Sequence, residues 1–227
     1  MMPAPISVII PTLNAEAVLP RCLESLMEGL EAGLIRELVI SDGGSTDATG
    51  ALAQAWGAEV VQGGASRGGQ LRRGCAAARG DWLLVLHADS RLSPGWADVA
   101  ARALAQADQA YWFQLRFDQG GLPGRIVAGW ANLRSRMGLP YGDQGLLISK
   151  TLYEAHGGYQ NIPLMEDVAL ARALKGQLCG LEAQVITSAE KYRRQGWLRR
   201  GGRNLWTLLR YFAGVDPETL AAAYRQK

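Results

Sequence analysis

The chain has 227 residues, of which 48% are hydrophobic and 20% are charged, so it can bury one sizeable core and is neither disordered nor fibrous. Its formal net charge is only +3, but residues 190–227 hold nine of the Lys and Arg side chains and only three of the acids. This basic tail can meet phosphates or an anionic membrane surface. The remainder is acidic, which argues against a nucleic-acid-binding protein.

The cysteines Cys22, Cys75 and Cys179 are odd in number and far apart, which indicates neither a disulfide framework nor a zinc site and favours a reducing cytoplasm. Residues 1–5 carry no basic side chain and precede only a short apolar run, so we expect no secretory signal. No apolar stretch reaches the ~20 residues of a membrane-spanning helix. We therefore expect a cytoplasmic protein whose only membrane contact would be peripheral, at the inner face.

Short apolar runs alternate with segments of helical spacing along the chain. The predicted strands are residues 6–10, 37–40, 59–62, 82–86, 111–117, 146–149 and 181–186. The predicted helices are residues 15–30, 45–56, 68–79, 94–107, 124–137, 151–156 and 166–175. Near-continuous apolar strands that alternate with helices indicate an α/β fold, with a Rossmann-like, mostly parallel central sheet, helices on both faces and a helical C-terminal tail.

Polar side chains gather where the predicted strands end, and ligands of an open parallel sheet bind beyond the carboxyl ends of its strands. Those that follow the first four strands are Thr12, Asn14, Asp42, Arg67, His87 and Asp89. Taken singly, Thr12 and Asn14 are equally well explained as ordinary helix caps, which are common where a strand leads into a helix. As a set, they predict one shared crevice.

Asp42 and Arg67 suggest a nucleotide in that crevice. Asp42 precedes Gly43 and Gly44, which leave room for a flat ring near the backbone; an aspartate bonding its own turn is the alternative. Arg67 lies in the glycine-rich residues 63–69, where it and main-chain N–H groups could reach a diphosphate. An ordinary flexible loop is the alternative there.

Asp89 and His87 follow the buried run 82–86. A carboxylate in such a position commonly holds a hard divalent cation together with substrate phosphates. His87 lies two residues earlier and so points to the same side, and an imidazole suits Mn²⁺ better than Mg²⁺. Alternatively, His87 is a hydrogen-bonded core residue and Asp89 a helix cap.

Glu166 and Asp167 begin an amphipathic helix directly after Pro163-Leu164-Met165. Two acids at a helix amino terminus are favoured by the helix dipole alone. The functional interpretation is that one of the two carboxylates takes a proton from a reacting hydroxyl.

Four ordered sets of residues complete the pattern: 7–14 (SVIIPTLN), 41–47 (SDGGSTD), 76–81 with 86–89 (AAARGD, LHAD), and 157–159 with 165–167 (GGY, MED). They resemble the motifs of family 2 glycosyltransferases of the GT-A fold, over about residues 6–187. The runs LHAD, YGDQG (141–145) and PLMED (163–167) are most similar to a bacterial subgroup described as arsenosugar-biosynthesis-type or selenium-domain-associated glycosyltransferases.

The resemblance implies transfer of a sugar, with inversion, from a nucleoside-diphosphate sugar to an acceptor hydroxyl, and a UDP-sugar is the first expected donor. It implies a divalent cation, Mn²⁺ or Mg²⁺, on Asp89 with His87, where the family usually has an aspartate in place of His87. Glu166 and Asp167 would be the catalytic acids, with Asp167 as the base. The residues expected to bind the nucleotide sugar are Thr12, Asn14, Glu16, Asp42, Gly43, Arg67 and Ala88.

We expect one domain over residues 1–227, with a nucleotide-sugar-binding half (1–107), an acceptor half (108–187) and a basic helical tail (188–227). The tail would cover the donor phosphates, touch a membrane that carries a lipid-linked acceptor, or only expose a solvated basic face. Its basic residues are Lys191, Arg193, Arg194, Arg199, Arg200 and Arg203.

Two other functions share this architecture. A sugar nucleotidyltransferase would release pyrophosphate, and an inactive binding protein would hold a nucleotide sugar without turning it over. A dinucleotide-dependent oxidoreductase is disfavoured because the turn after the first strand is Pro11-Thr12-Leu13-Asn14 and lacks G-x-G-x-x-G. The acceptor, a small molecule or a lipid-linked hydroxyl, is left open.

Overall fold

The computed structural model describes residues 4–225. The prediction of a signal-free amino terminus falls largely outside this range, as do both ends of the predicted domain. The strands are β1 (Ile6–Thr12), β2 (Ile35–Asp42), β3 (Glu59–Gln62), β4 (Trp82–Val85), β5 (Ser90–Leu92), β6 (Ala110–Phe117), β7 (Leu146–Ser149) and β8 (Leu178–Thr187).

The helices complete the chain, with one 3-10 turn at Gly142–Gln144. They are α1 (Leu19–Glu24), α2 (Met27–Glu31), α3 (Thr49–Ala55), α4 (Arg67–Ala77), α5 (Trp96–Ala103), α6 (Gly121–Arg136), α7 (Lys150–Ala155), α8 (Glu166–Ala173), α9 (Glu190–Gln195), α10 (Trp197–Phe212) and α11 (Pro217–Arg225).

The eight described strands form one sheet in the order β3-β2-β1-β4-β7-β6-β8-β5. Strands β3, β2, β1 and β4 run parallel, as do β6 and β8, whereas β7 and β5 run antiparallel to their neighbours. Thr12 pairs with Asp42 and Ile9 pairs with Val85, so the carboxyl ends of the first strands meet at one edge. The predicted mostly parallel sheet is confirmed.

Strand β1 shows why the sheet is covered on both faces. Its apolar, β-branched residues are completely buried, and alternate ones point to opposite sides of the sheet. Val8 and Ile10 pack in the cluster that contains Trp96 of α5, whereas Ile9 packs with Leu71 of α4. A near-continuous apolar strand between two helical layers is the expected pattern of a buried parallel sheet.

The predicted helix over residues 15–30 is interrupted between α1 and α2. At the break, the Ser25 hydroxyl donates to the carbonyl oxygen of Cys22 (2.7 Å) and accepts from the N–H of Leu92 (3.1 Å). The Ser25 carbonyl accepts from the indole N–H of Trp96 (3.0 Å). Tertiary hydrogen bonds therefore replace helical ones at this point.

The structure differs most from the predicted strands at β5 and β8. Strand β5 was not predicted, because three residues are too few for a periodic pattern, and it forms by pairing Leu92 with Val185. Strand β8 is longer than the predicted 181–186, because its first residues pair with β6.

The predicted helical tail is α9 to α11. Leu208 of α10 and Leu220 of α11 are buried in one cluster with Met165 and Val168, at the start of α8. Trp197 stacks on Tyr192 at 4.9 Å between ring centroids. The tail is thereby packed beside the carboxyl ends of the strands. Within residues 4–225, no helix combines the length and the apolar character that crossing a bilayer requires.

Candidate functional site

A cavity of about 870 Å³ opens at the carboxyl ends of β1 and β4, between the sheet and the helical tail; we call it the crevice. Seven of the predicted site residues line it: Thr12, Asn14, Arg67, His87, Ala88, Asp89 and Asp167. The other four, Glu16, Asp42, Gly43 and Glu166, lie behind this lining or beside it. Residues from distant parts of the chain thus meet at the predicted edge of the sheet.

Asp42 is buried directly behind Thr12. Its Oδ1 accepts from the hydroxyls of Thr12 (2.9 Å) and Ser45 (2.6 Å), and its Oδ2 accepts from the N–H groups of Gly44 (2.9 Å) and Ser45 (2.8 Å). Burial raises the pKa of Asp42, but the hydrogen bonds together lower it by more. The carboxyl is therefore more acidic than usual. Asp42 thus fixes the loop after β2 and joins it to Thr12 at the end of β1, and a direct contact with a base or ribose stays a prediction.

Asn14 and Glu16 join the loop after β1 to the loop after β2. The Asn14 side chain accepts from the N–H of Thr46 (2.9 Å), and Glu16 accepts from the N–H of Ala48 (2.8 Å). Asn14 and Met165 are the two non-glycine residues with positive φ among those described, at 49° and 67°, and both line the crevice. Backbone strain of this kind concentrates at functional sites.

Gln70 lines the crevice and was not predicted. Its amide donates to the carbonyl oxygens of Thr12 (2.7 Å) and Ser41 (3.0 Å), which joins the ends of β1 and β2. A Cβ at Gly43 would lie 3.0 Å from this amide. Gly43 therefore leaves room for Gln70, whereas a contact between Gly43 and the nucleotide stays a prediction.

Arg67 is the first residue of α4, and its guanidinium links two site residues. Its Nε lies 3.4 Å from Oε1 of Glu166, and one terminal nitrogen lies 3.3 Å from Nε2 of His87. The Arg67 side chain is 50% exposed towards the crevice, whereas that of Glu166 is 1% exposed. Glu166 therefore holds Arg67 from behind instead of facing the crevice.

Glu166 is an unusual carboxyl group. Burial, and next the charge of Asp167, raise its pKa to about 7, although Arg67 acts in the opposite direction. Its Oε2 is buried and forms no hydrogen bond within residues 4–225. The folded chain therefore holds this proton at pH values where the unfolded chain has lost it.

We expect Glu166→Gln to change the pH dependence of stability. Between the ordinary value of 4.5 and about 7, the folded state binds more protons than the unfolded state, so the free energy of unfolding falls as the pH rises. Because glutamine cannot ionise, the difference between variant and parent should shift in favour of the variant by about 2.5 kcal/mol from pH 5 to pH 8. Urea unfolding at both pH values measures this; a constant difference would contradict it.

Asp89 and His87 follow the end of β4, and they differ in charge: Asp89 is an anion and His87 is neutral. Burial raises the pKa of Asp89, but Lys191, whose Nζ lies 3.2 Å from Oδ2, and His87 lower it, so the carboxyl is ionised. Burial, and then Arg67, lower the pKa of His87 to about 4, so the imidazole is neutral. Anionic oxygen and neutral nitrogen are the forms that bind metal ions.

These two residues fit a divalent cation only if another molecule completes its coordination. Within residues 4–225, no group of three His, Cys, Asp or Glu side chains is arranged to hold a metal. A hard cation bound through one or two protein ligands, with phosphates and water supplying the others, is the usual arrangement beside a nucleotide. Asp89 with His87 fits such a shared site.

Asp167 lies in the first turn of α8, and its carboxylate faces the crevice. Its Oδ2 accepts from the N–H of Gly142 (2.7 Å). A Cβ at Gly142 would lie 2.8 Å from Nε2 of His87 and 3.4 Å from Oδ2 of Asp167. This glycine therefore lets the end of β4 and the start of α8 meet.

Asp143 is a second unpredicted residue of the crevice. It lies half-buried on the 3-10 turn and lines the crevice, and its Oδ1 is buried without a hydrogen bond among the described residues. Burial raises its pKa, and the charge of Arg134 lowers it less. The sequence singles out the run that contains Asp143 but gives this residue no role.

The basic tail contributes to the crevice in part. Of its six predicted residues, Lys191, Arg200 and Arg203 line the cavity. Arg193 instead donates to Gln119 (2.6 Å), and Arg194 lies 4.0 Å from Glu190. Three side chains of the tail are thus placed to meet negative charge.

Several known proteins match part of this sequence. PGL/p-HBAD biosynthesis glycosyltransferases of Mycobacterium bovis and Mycobacterium tuberculosis are 40% identical to this chain over 112 residues. The match covers 46% of this chain and 42% of those proteins, so the chain spans less than half the length of these curated relatives.

Several solved structures share the fold, and two of them come from S. aureus and Mycobacterium tuberculosis. The structure of S. aureus TarS 1–349 has a TM-score of 0.64 at 16% identity, over 90% of this chain and 64% of that one. Glucosyl-3-phosphoglycerate synthase from Mycobacterium tuberculosis has a TM-score of 0.58 at 22% identity, over 81% of this chain and 70% of that one. Both likenesses support the predicted GT-A architecture.

A family model described as "Glycosyl transferase family 2" matches residues 7–154, which is more than half of the chain. The match includes Thr12, Arg67, His87 and Asp89. Asp167 and the basic tail lie beyond it. By this match, and in agreement with the motifs in its sequence, the chain belongs to glycosyl transferase family 2.

Proposed function

We propose that this chain transfers a sugar from a nucleoside-diphosphate sugar to an acceptor hydroxyl, with inversion at the anomeric carbon. The observation that carries the proposal is the shared crevice, in which Asp89 at the end of β4 and Asp167 at the start of α8 occur with several cationic side chains. Separate sites for the leaving group and for a base are what a single displacement requires.

UDP is the first nucleotide to test. Related solved structures hold TarS in complex with UDP and with UDP-GlcNAc, and the M. tuberculosis synthase in complex with Mn²⁺ and UDP. In this chain, Arg67, Lys191, Arg200 and Arg203 line the crevice and would bind the diphosphate. A divalent cation, when bound with Asp89 and His87, would offset the charge that grows on the leaving diphosphate.

Asp167 is the proposed general base. Its Oδ2 is oriented by the N–H of Gly142 and would accept the proton of the acceptor hydroxyl while the hydroxyl oxygen bonds to the anomeric carbon. The bond from that carbon to the diphosphate oxygen breaks in the same displacement. Glu166 would act indirectly, because it is buried and paired with Arg67; we therefore propose that it positions Arg67.

A thermal-shift screen of nucleotide sugars with and without Mn²⁺ tests the donor and the metal together. Ligand at about 100 times its dissociation constant stabilises a protein by roughly 2.7 kcal/mol, and we expect this from a UDP-sugar with Mn²⁺. The reaction product then decides between functions. Release of UDP supports the transferase, release of pyrophosphate indicates a nucleotidyltransferase, and binding without turnover with any divalent ion indicates an inactive binding protein.

The domain and subgroup predictions also belong to the proposal. Residues 1–107 would bind the donor, 108–187 the acceptor, and 188–227 would cover the diphosphate. The acceptor would be a small molecule or a lipid-linked hydroxyl, in the cytoplasm or at the inner face of a membrane.

Similarity to the arsenosugar-biosynthesis-type or selenium-domain-associated subgroup stays a prediction, because the relatives described above carry other names.

A further inference from the structure

Helix α6 exposes an apolar face. Its exposed large side chains are Leu122 (70%), Ile126 (64%), Trp130 (50%) and Leu133 (49%), followed by Met137 (64%) at its carboxyl end. At about 100° per residue, their spacing places them within an arc of roughly 80° on one face. The opposite face is buried through Ala128, Ala131 and Ser135.

Helix α10 has the same character. Its exposed apolar side chains, on one face, are Leu198 (92%), Leu205 (42%), Trp206 (63%), Leu209 (51%) and Phe212 (44%). The other face packs inward through Thr207 and Leu208, and Arg200 and Arg203 line the crevice from this helix. One helix therefore separates the crevice from an exposed apolar surface.

The two helices are neighbours. Trp197, at the start of α10, lies against α6, since a Cβ at Gly124 would be 3.0 Å from its ring. Of the fifteen exposed large hydrophobic side chains among the described residues, ten lie on α6 and α10 or at their ends. Such a concentration on a small part of a surface marks an interaction site.

The charged side chains on these two helices are exclusively positive. Neither helix contains an Asp or a Glu. Arg125 and Arg136 border the apolar face of α6, and Arg199 and Arg210 border that of α10. Arg125, Arg136 and Arg199 are exposed and form no ion pair within residues 4–225. A second copy of the chain would bring these arginines against each other, whereas anionic phosphates would complement them.

We propose that α6 and α10 dock on the surface of an anionic phospholipid bilayer. Their Trp, Leu, Ile, Met and Phe side chains enter the boundary between headgroups and acyl chains, and the bordering arginines contact lipid phosphates. Because α10 also lines the crevice, docking holds the crevice next to the bilayer. This binding does not depend on the sugar transfer proposed above.

Vesicle flotation with the full chain tests the docking. We expect binding to phosphatidylcholine vesicles that contain phosphatidylglycerol, and at least tenfold weaker binding to phosphatidylcholine alone or in high salt. Trp206→Glu with Leu209→Glu, and separately Ile126→Glu with Trp130→Glu, should each weaken binding by roughly tenfold or more. The control is Met27→Glu with Leu30→Glu, which charges two exposed apolar residues of α2 and should leave vesicle binding unchanged.

Three results would overturn the proposal: no binding of the parent to anionic vesicles, unchanged binding of either double variant, or equal loss in the control. A dimer that these variants dissociate, without vesicle binding by the parent, would assign the surface to a second copy. Thermal shift with UDP, measured on every variant, distinguishes this outcome from failure of the nucleotide-sugar proposal and reports whether each variant is folded.

Discussion

Asp167→Asn is expected to lower turnover by about a thousandfold while leaving the affinity for UDP nearly unchanged. The asparagine carbonyl can still accept the N–H of Gly142, which Oδ2 of Asp167 accepts at 2.7 Å, so the crevice should keep its shape. The amide cannot take the proton of an acceptor hydroxyl. The loss should therefore appear in kcat and not in nucleotide binding.

The measurement pairs UDP release with UDP titration on the same preparation. Asp98→Asn is the matched control, because Asp98 is also an acid in the first turn of a helix, α5, but is exposed away from the crevice. It should retain full turnover. If Asp167→Asn kept turnover within a few-fold of the parent, Asp167 would not be the base.

Asp89→Ala should abolish the additional thermal stabilisation that Mn²⁺ gives in the presence of UDP. Asp89 is the ionised carboxylate of the pair proposed to hold the cation, and His87 alone supplies a single neutral nitrogen. Mn²⁺ at about 100 times its own dissociation constant would add about 2.7 kcal/mol to the contribution of UDP, which corresponds to a further melting-temperature increase of roughly 5–10 °C for a chain of this size. That increase should vanish, and turnover should fall by about a hundredfold or more.

Lys191→Ala separates this effect from loss of the Lys191–Asp89 ion pair, which joins α9 to the end of β4 at 3.2 Å. The lysine variant breaks the same pair but keeps the carboxylate, so its response to Mn²⁺ should persist. An unchanged Mn²⁺ response in Asp89→Ala would remove Asp89 from the metal site.

The sequence predicted those parts of the fold that local patterns encode. Residues 146–149 and 59–62 were predicted as strands with the bounds that the structure has, because short apolar runs there are bounded by turns. The break at Ser25 depends instead on hydrogen bonds to Leu92 and to Trp96. No pattern within residues 15–30 contains that information.

The same limit applies to the site. Asp89 was predicted because it follows the apolar run of β4, and Asp167 because it lies in the first turn of the amphipathic helix α8. Gln70 was missed, since it joins Thr12 and Ser41 from the first turn of α4, where a buried amide has no distinctive signal. Asp143 was missed as a crevice residue because its place in the crevice arises from helices and strands that meet only in the folded chain.

Helix α10 lies between two different surroundings: its inner face lines the crevice, and its outer face is exposed. A displacement of this helix by a contact on its outer face would also move Arg200 and Arg203 on its inner face, because all of these side chains belong to one helix of sixteen residues. Even a slight tilt of that helix would widen or narrow the mouth of the cavity. A contact made outside the protein would in this way change the space available to a molecule in the crevice.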